Sequence, residues 1–330
     1  MSYDPHVLQR ASEQLEARRR ARTAQIEQRR QKVYASQPRL AQIDRELRAT
    51  MAGVFTAALR NGEDPGPAVA ALRSQNLDLQ LERRAILGAL GMGPEDLDDT
   101  PACAECGDTG WKGAVMCSCL QELYSKEQTR TLSEQLDLVS HTFDNFRSDY
   151  YSTLPNPQTG QSPRQNMELV YEVCLNYAQK FPSFYFKNLF LSGAPGLGKT
   201  FLSACIARTV SDQGHSVVYT SAADALAQFE DRKFSRDAEA KDETRRYLNC
   251  DLLILDDLGC ELTTQFVQSA LYTLINSRLA AGLHTVVSSN LTMDEISQRY
   301  SPQIASRLAG EYHVLYFFGE DIRQLKKKNF

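Results

Sequence analysis

The stretch Gly193–Ala194–Pro195–Gly196–Leu197–Gly198–Lys199–Thr200 (GAPGLGKT) decides the fold. An apolar run of strand length, KNLFLSG (187–193), precedes it. FLSACIARTV (201–210) continues from it with helical spacing. Strand, glycine-rich loop and helix in that order form the setting of a phosphate-binding loop. Gly193, Gly196 and Gly198 let backbone N–H groups turn inward where side chains would block phosphate oxygens. The helix that starts near Lys199 directs its positive end at the same oxygens. Lys199 reaches the β- and γ-phosphates, and Thr200 places its hydroxyl on Mg²⁺. Phe201, the next residue, is grouped with the loop as part of the nucleotide site.

Downstream, DLLILDD (251–257) puts four apolar residues before two carboxylates. A wholly apolar run suits a buried central strand. Asp256, at its C-terminal end, takes the Walker B role on the Mg²⁺ shell. Asp257 stands where many such proteins carry Glu to orient water, one methylene shorter; the plain alternative is a strand ending at a turn. HTVVSS (284–289) predicts another strand, which an additional-strand P-loop fold places between the two Walker strands. Asn290 at its end then faces the γ-phosphate, or else merely ends the strand before a helix at 293. Arg307 in QIASRLAG and Arg323 in EDIRQLKKK are each either surface helix residues or arginines completing a γ-phosphate site, as a neighbouring subunit often supplies. The alternation of strands and helices over 166–330 predicts a parallel α/β sheet covered on both faces.

The N-terminal third reads differently. Ile26, Val33, Leu40, Leu47 and Val54 recur every seven residues, with Ile43 and Met51 on the same face. That spacing predicts one apolar stripe, broken at Pro38 into two helices. NGEDPGP (61–67) predicts a turn, and a third helix runs over about 68–90 with Leu72, Leu79, Ile86 and Leu90 on one side. The first fifty residues hold eleven Lys/Arg against six Asp/Glu. This excess is either a solvated face or a docking face for nucleic acid or a partner. The stretch 148–166 reads as a surface loop.

Cys103, Cys106, Cys117 and Cys119 make C-x₂-C-x₁₀-C-x-C. Two cysteine pairs across a short loop can close a tetrahedral thiolate cage on Zn²⁺, with a structural role because all four positions are filled. A redox pair, free thiols and an iron–sulfur cluster are the alternatives. Trp111 and Lys112 inside this loop either pack on the small module or stack and pair with single-stranded nucleic acid. Cys174, Cys205, Cys250 and Cys260 sit in apolar contexts and are expected in the core.

With 37 Lys plus Arg against 41 Asp plus Glu, the net charge of −4 carries no message about nucleic acid. No apolar run nears the roughly 20 residues that span a bilayer. The N-terminus lacks an apolar h-region, and Glu13, Glu16 and Glu27 argue against a transit peptide. A cytoplasmic location without membrane attachment is expected.

On these residues the region from about 141 to 330 resembles the AAA+ ATPases of the DnaC/DnaI/IstB group. The matching pieces are HTFDNF (141–146), NLFLSGAPGLGKTFLSACIA, CDLLILDDLGCE, TVVSSNLTMDEI and IASRLAG, in the expected order. The resemblance implies an AAA+ P-loop fold of the ASCE type with a five-stranded parallel sheet. An all-α N-terminal domain and a zinc-binding module would precede it. The expected division is 1–98 helical and partner-binding, 99–125 zinc module, 126–165 linker and adenine-proximal segment, 166–330 ATPase. It further implies ATP, Mg²⁺ and Zn²⁺ as bound groups, and partners in a hexameric DnaB-type replicative helicase, single-stranded DNA and other copies of the chain. Arg307 would be the arginine finger, Arg323 the second sensor, and HTFDNF a neighbour of adenine. The implied function is a loader that places the helicase on single-stranded DNA, hydrolysing ATP slowly when alone. An IstB-like transposition ATPase on duplex DNA and a non-hydrolysing, nucleotide-stabilised adaptor are the alternatives. The absence of a helix-turn-helix segment counts against an origin-reading initiator of the DnaA type.

Overall fold

The computed structural model describes residues 3–58, 66–93, 95–136, 140–157, 160–234 and 238–328. The helices are α1 (Pro5–Ser36), α2 (Pro38–Ala58), α3 (Gly66–Ala89), α4 (Ser118–Gln135), α5 (Pro163–Gln179), α6 (Lys199–Asp212), α7 (Ala222–Phe234), α8 (Ala238–Asn249), α9 (Gln265–Ala281), α10 (Met293–Arg299), α11 (Pro302–Glu311) and α12 (Ile322–Lys328). The strands are β1 (Trp111–Lys112), β2 (Val115–Met116), β3 (Asn188–Gly193), β4 (Val217–Ser221), β5 (Leu252–Leu258), β6 (His284–Ser289) and β7 (His313–Phe317). The chain forms two compact units: Glu13–Cys119, and Met1–Ser12 together with Leu120–Phe330.

In the larger unit five parallel strands pair in the order β4-β5-β6-β3-β7. β6 therefore lies between the strand that ends in the phosphate loop and the strand that ends in Asp256, as the additional-strand arrangement requires. This is the AAA+ P-loop fold. Alternation along each strand feeds two cores. Leu189, Leu191, Leu252, Ile254 and Val286 face α5 and α6, where Val170, Cys174, Leu202 and Ile206 meet them. Phe190, Leu253, Leu255 and Val287 face the other way, onto Leu226 of α7, Leu271 and Leu274 of α9, and Leu308 of α11. Burial on both faces explains why these strands read as unbroken apolar runs.

Residues from the very start of the chain belong to this unit. The Asp4 N–H donates to the Tyr124 hydroxyl (3.0 Å), the Arg246 guanidinium lies 3.0 Å from the Asp4 carboxylate, and Arg10 pairs with Glu127 (3.4 Å). Cys174, Cys205 and Cys250 are buried in the cores. Cys260 is exposed instead, because it follows Gly259, where the chain has left the sheet.

The smaller unit has a thin core. α1 and α2 meet at Gln37–Pro38 as the proline requires, since proline fits the first helical turn and breaks the one before. Leu40, Leu87 and Leu97 form its buried cluster with Val33, Tyr34, Ile86 and Met92 against them. Leu79 is buried on α3 as expected, but Leu87 rather than the exposed Leu90 completes the inward face. Charge pairs surround this patch: Arg39 with Glu82 (2.6 Å), and Arg83 with Asp44 (2.8 Å) and Asp98 (2.9 Å). The expected turn at 61–67 falls mostly outside the described residues, as do the side chains of Met51, Val54 and Leu72.

Candidate nucleotide site and thiol cluster

Gly193–Thr200 joins β3 to α6, which begins at Lys199 with Gly198 before it in a left-handed conformation. Gly196 admits no side chain: a Cβ there would stand 2.0 Å from Oδ1 of Asp321. The turn before α12 thus lies against the loop, and the Ile322 N–H donates to the Gly196 carbonyl (3.0 Å). From the other side the buried Tyr151 hydroxyl donates to the Leu197 carbonyl (2.9 Å). Both clamps engage loop carbonyls rather than loop N–H groups.

Lys199 is buried and its ammonium donates to the carbonyls of Gly193 and Ala194, the latter at 2.9 Å. Burial pushes its pKa down; Asp257 and Asp256 oppose that shift and Arg323 adds to it. Asp256, buried at the end of β5, accepts from Thr200 Oγ1 (3.0 Å), from the Tyr219 hydroxyl (2.5 Å) and from Ser288 Oγ. One carboxylate thus gathers hydroxyls from α6, β4 and β6. Burial and the Asp256 charge push the Asp257 carboxyl above the ordinary carboxylate range, against Lys199 and Arg323. Asp257 lies in the left-handed region (φ 55°), where the pairing of β5 with β6 shifts between Leu255 and Leu258. Asp tolerates that conformation better than longer side chains, since it can bond its local backbone. This is a physical reason for Asp where Glu is the commoner choice.

Asn290 is exposed and directly follows β6, its Oδ1 3.3 Å from where a Cβ on Gly259 would stand. It does not cap the next helix: Thr292 and Glu295 form a reciprocal capping box there. Arg323 is exposed on α12, with its charge acting on both Lys199 and Asp257. Arg307 is exposed on α11. HTFDNF forms a short 3-10 turn whose Phe146 stacks on Tyr171 (4.8 Å) and Tyr151 (6.1 Å), while His141 meets Phe201 edge-on (5.0 Å). Sequence reasoning missed Tyr151, Tyr219, Ser288 and Asp321. Only the β4 alternation carried a signal, since it sets Tyr219 on the same face as Ser221, the residue paired with Asp256.

Residues 183–329 match the family model described as IstB-like ATP binding protein. That segment is similar to IstB-like ATP-binding domains. Over 116 residues the chain is 27% identical to the replicative helicase loader DnaI of Bacillus subtilis, covering 35% of this chain and 37% of that protein. Over 122 residues it is 24% identical to the replicative helicase loader DnaC of Escherichia coli, covering 37% of this chain and 49% of that one. The matches thus span half or less of the length of these relatives. Among solved structures, a DnaC helicase loader aligns with 55% of this chain and 99% of its own at 16% identity and TM-score 0.46. AMPPCP-bound DnaA from Aquifex aeolicus aligns with 58% and 56% at 23% identity and TM-score 0.42.

In the smaller unit the Sγ atoms of Cys103, Cys106, Cys117 and Cys119 lie within 4.8 Å of one another. Cys103 and Cys117 stand 3.7 Å apart, and Cys106 and Cys119 3.5 Å. β1 and β2 form the hairpin between the pairs. Asp108 buttresses it, accepting from the N–H groups of Ala102 (3.0 Å) and Cys103 (2.8 Å) and from Arg22. Arg22 also pairs with Asp99 (3.2 Å), and Arg29 with Asp96 (3.7 Å), so part of the basic excess is used inside the unit; Arg18 and Arg19 are exposed. Trp111 is half-buried, and Lys112 is paired with Glu105. Among the described residues no helix is long and apolar enough to cross a membrane.

Proposed function

We propose that this chain is an ATP-dependent loader of a hexameric replicative helicase onto single-stranded DNA in the cytoplasm. The observation that carries the ATPase half is the Thr200–Asp256 hydrogen bond (3.0 Å) beside the phosphate loop, with the charges of Lys199 and Asp257 acting on each other there. The loader half rests on the two curated relatives named above, both replicative helicase loaders. Gly193–Thr200 and Phe201 hold the nucleotide, with its adenine near HTFDNF. Thr200 and Asp256 would hold Mg²⁺, which would supply positive charge against the phosphate oxygens. Asp257 and Asn290 order the attacking water, and Arg323 senses the γ-phosphate. Arg307 enters the site of a neighbouring copy, so hydrolysis requires self-association.

The four thiols fit Zn²⁺: a tetrahedral cage needs four sulfurs at about 2.3 Å from the metal, hence under 4 Å apart along its edges, and two edges here meet that. The metal holds the module together. The helical segment 1–98 makes the helicase contact.

Adding helicase and single-stranded DNA is expected to raise phosphate release from a slow basal rate, and a pull-down is expected to retain the helicase. The match to the IstB-like family favours a second reading, an ATPase that coats duplex DNA and recruits a transposase. Capture of a transposase with a preference for duplex DNA would select it. No phosphate release under any of these conditions would leave a nucleotide-stabilised adaptor.

A further inference from the structure

Strand pairing between β5 and β6 is regular up to Leu255, shifts, and resumes at Leu258 opposite Ser289. Asp257 sits in this irregularity with φ 55° and its N–H bonded to Ser288 Oγ (2.9 Å). A non-glycine residue in the left-handed region is strained and persists only where its surroundings hold it. Glu261 supplies that hold. Its carboxylate, 8% exposed, accepts from the Gly259 N–H (3.1 Å) and from the hydroxyl of Tyr300. Its carbonyl accepts from Arg299 Nη2 (2.6 Å). Gly259, at φ 112°, is pressed against the sensor segment: a Cβ there would lie 2.7 Å from Leu291 Cδ1 and 3.3 Å from Asn290 Oδ1. Tyr300, 2% exposed, is the C-cap of α10, and Ser301 caps α11, the helix that bears Arg307.

We infer that Glu261 is a positioning residue for ATP hydrolysis. It fixes Asp257 and Asn290 through Gly259 and ties them, through Tyr300 and Arg299, to the helix that carries Arg307. This deepens the ATPase reading above and rests on it. Among the described residues the hydrogen bonds of Glu261 go to Gly259, Arg299 and Tyr300 rather than to residues 193–200, so nucleotide binding is expected to be independent of it. What depends on it is the geometry of water attack, where a displacement of about 1 Å costs on the order of 100-fold in rate. Glutamine at this position would turn one of two acceptor oxygens into a donor facing Tyr300 or Gly259.

The test uses the full-length chain and its variants Glu261→Gln, Tyr300→Phe and the pair combined. ATP–Mg²⁺ affinity is read by titration and steady-state turnover with helicase and single-stranded DNA present. The expected result is an ATP affinity within about twofold of wild type and a kcat lower by roughly 10–100-fold in each single variant. The double variant should be no worse than the weaker single, because the two residues share one bond. Wild-type kcat in folded variants would overturn the inference. So would an affinity loss as large as the loss in kcat, which is the signature of a merely structural role. If Glu261→Gln fails to fold, Tyr300→Phe decides on the same criteria. A wild-type chain that turns over no ATP overturns the ATPase reading, and this inference with it. Wild-type turnover with unaffected variants overturns the inference alone.

Discussion

Around the phosphate loop, hydroxyls from three elements close on the Asp256 carboxylate, Lys199 is held by two carbonyls, and clamps from Tyr151 and Ile322 fix the loop from outside. Every piece of that scaffold is supplied by the protein, behind two dense apolar cores. Among the described residues of 13–119, Leu40, Ile43, Leu87 and Leu97 are fully buried, charge pairs surround them, and four thiols are drawn together near the C-terminal end. Their four sulfurs lie within 4.8 Å of one another. The contrast sets a nucleotide site braced from several elements by protein groups against a thiol cluster whose geometry fits a metal.

That contrast breaks first at the thiols. Structural zinc contributes roughly 10–16 kcal/mol of apparent binding free energy in small domains. Chelation, or Cys106→Ser, is therefore expected to unfold the cysteine module while ATP affinity stays unchanged. Circular dichroism and nucleotide titration on the same sample check this, and a parallel fall in ATP affinity would erase the distinction. Next comes the arginine proposed to act in trans. Arg307→Ala is expected to lower assembled turnover by about 10³–10⁵-fold with ATP affinity intact. Fast turnover in a demonstrably monomeric wild-type sample would contradict its role in trans.

Gly259→Ala sharpens the comparison within the built site. A side chain at φ 112° is expected to cost roughly 1–3 kcal/mol, read from denaturant midpoints, with turnover reduced as well. Smallest is Tyr151→Phe, which removes one hydrogen bond to the loop and is expected to cost about 1 kcal/mol, or roughly fivefold in ATP affinity.

The phosphate loop was legible because its chemistry forces glycine at fixed spacing, and the strand that carries Asp256 because burial on both faces writes an apolar run. The cysteine pairs were legible for the same reason: their ligand geometry constrains sequence spacing. The clamps were not. Tyr300 meets Glu261 across 39 residues and Tyr151 meets Leu197 across 46, and a lone tyrosine carries no trace of a partner that distant. Periodicity located the inward face of the N-terminal helices, yet it could not say that Leu87 rather than Leu90 completes it. Nor could local context reveal that Cys260 is exposed, because that depends on where the chain leaves the sheet. The docking of Asp4 and Arg10 against residues more than a hundred positions away had no local signal either.

The central claim is a triphosphate gripped by backbone N–H groups and the Lys199 ammonium. Calorimetric titration of the wild-type chain and Lys199→Ala with ATP–Mg²⁺, paired with melting curves, tests it most directly. Saturable heat and a raised melting temperature are expected in the wild type, and neither in the variant. Equal binding by both proteins, or none by the wild type, would contradict the account.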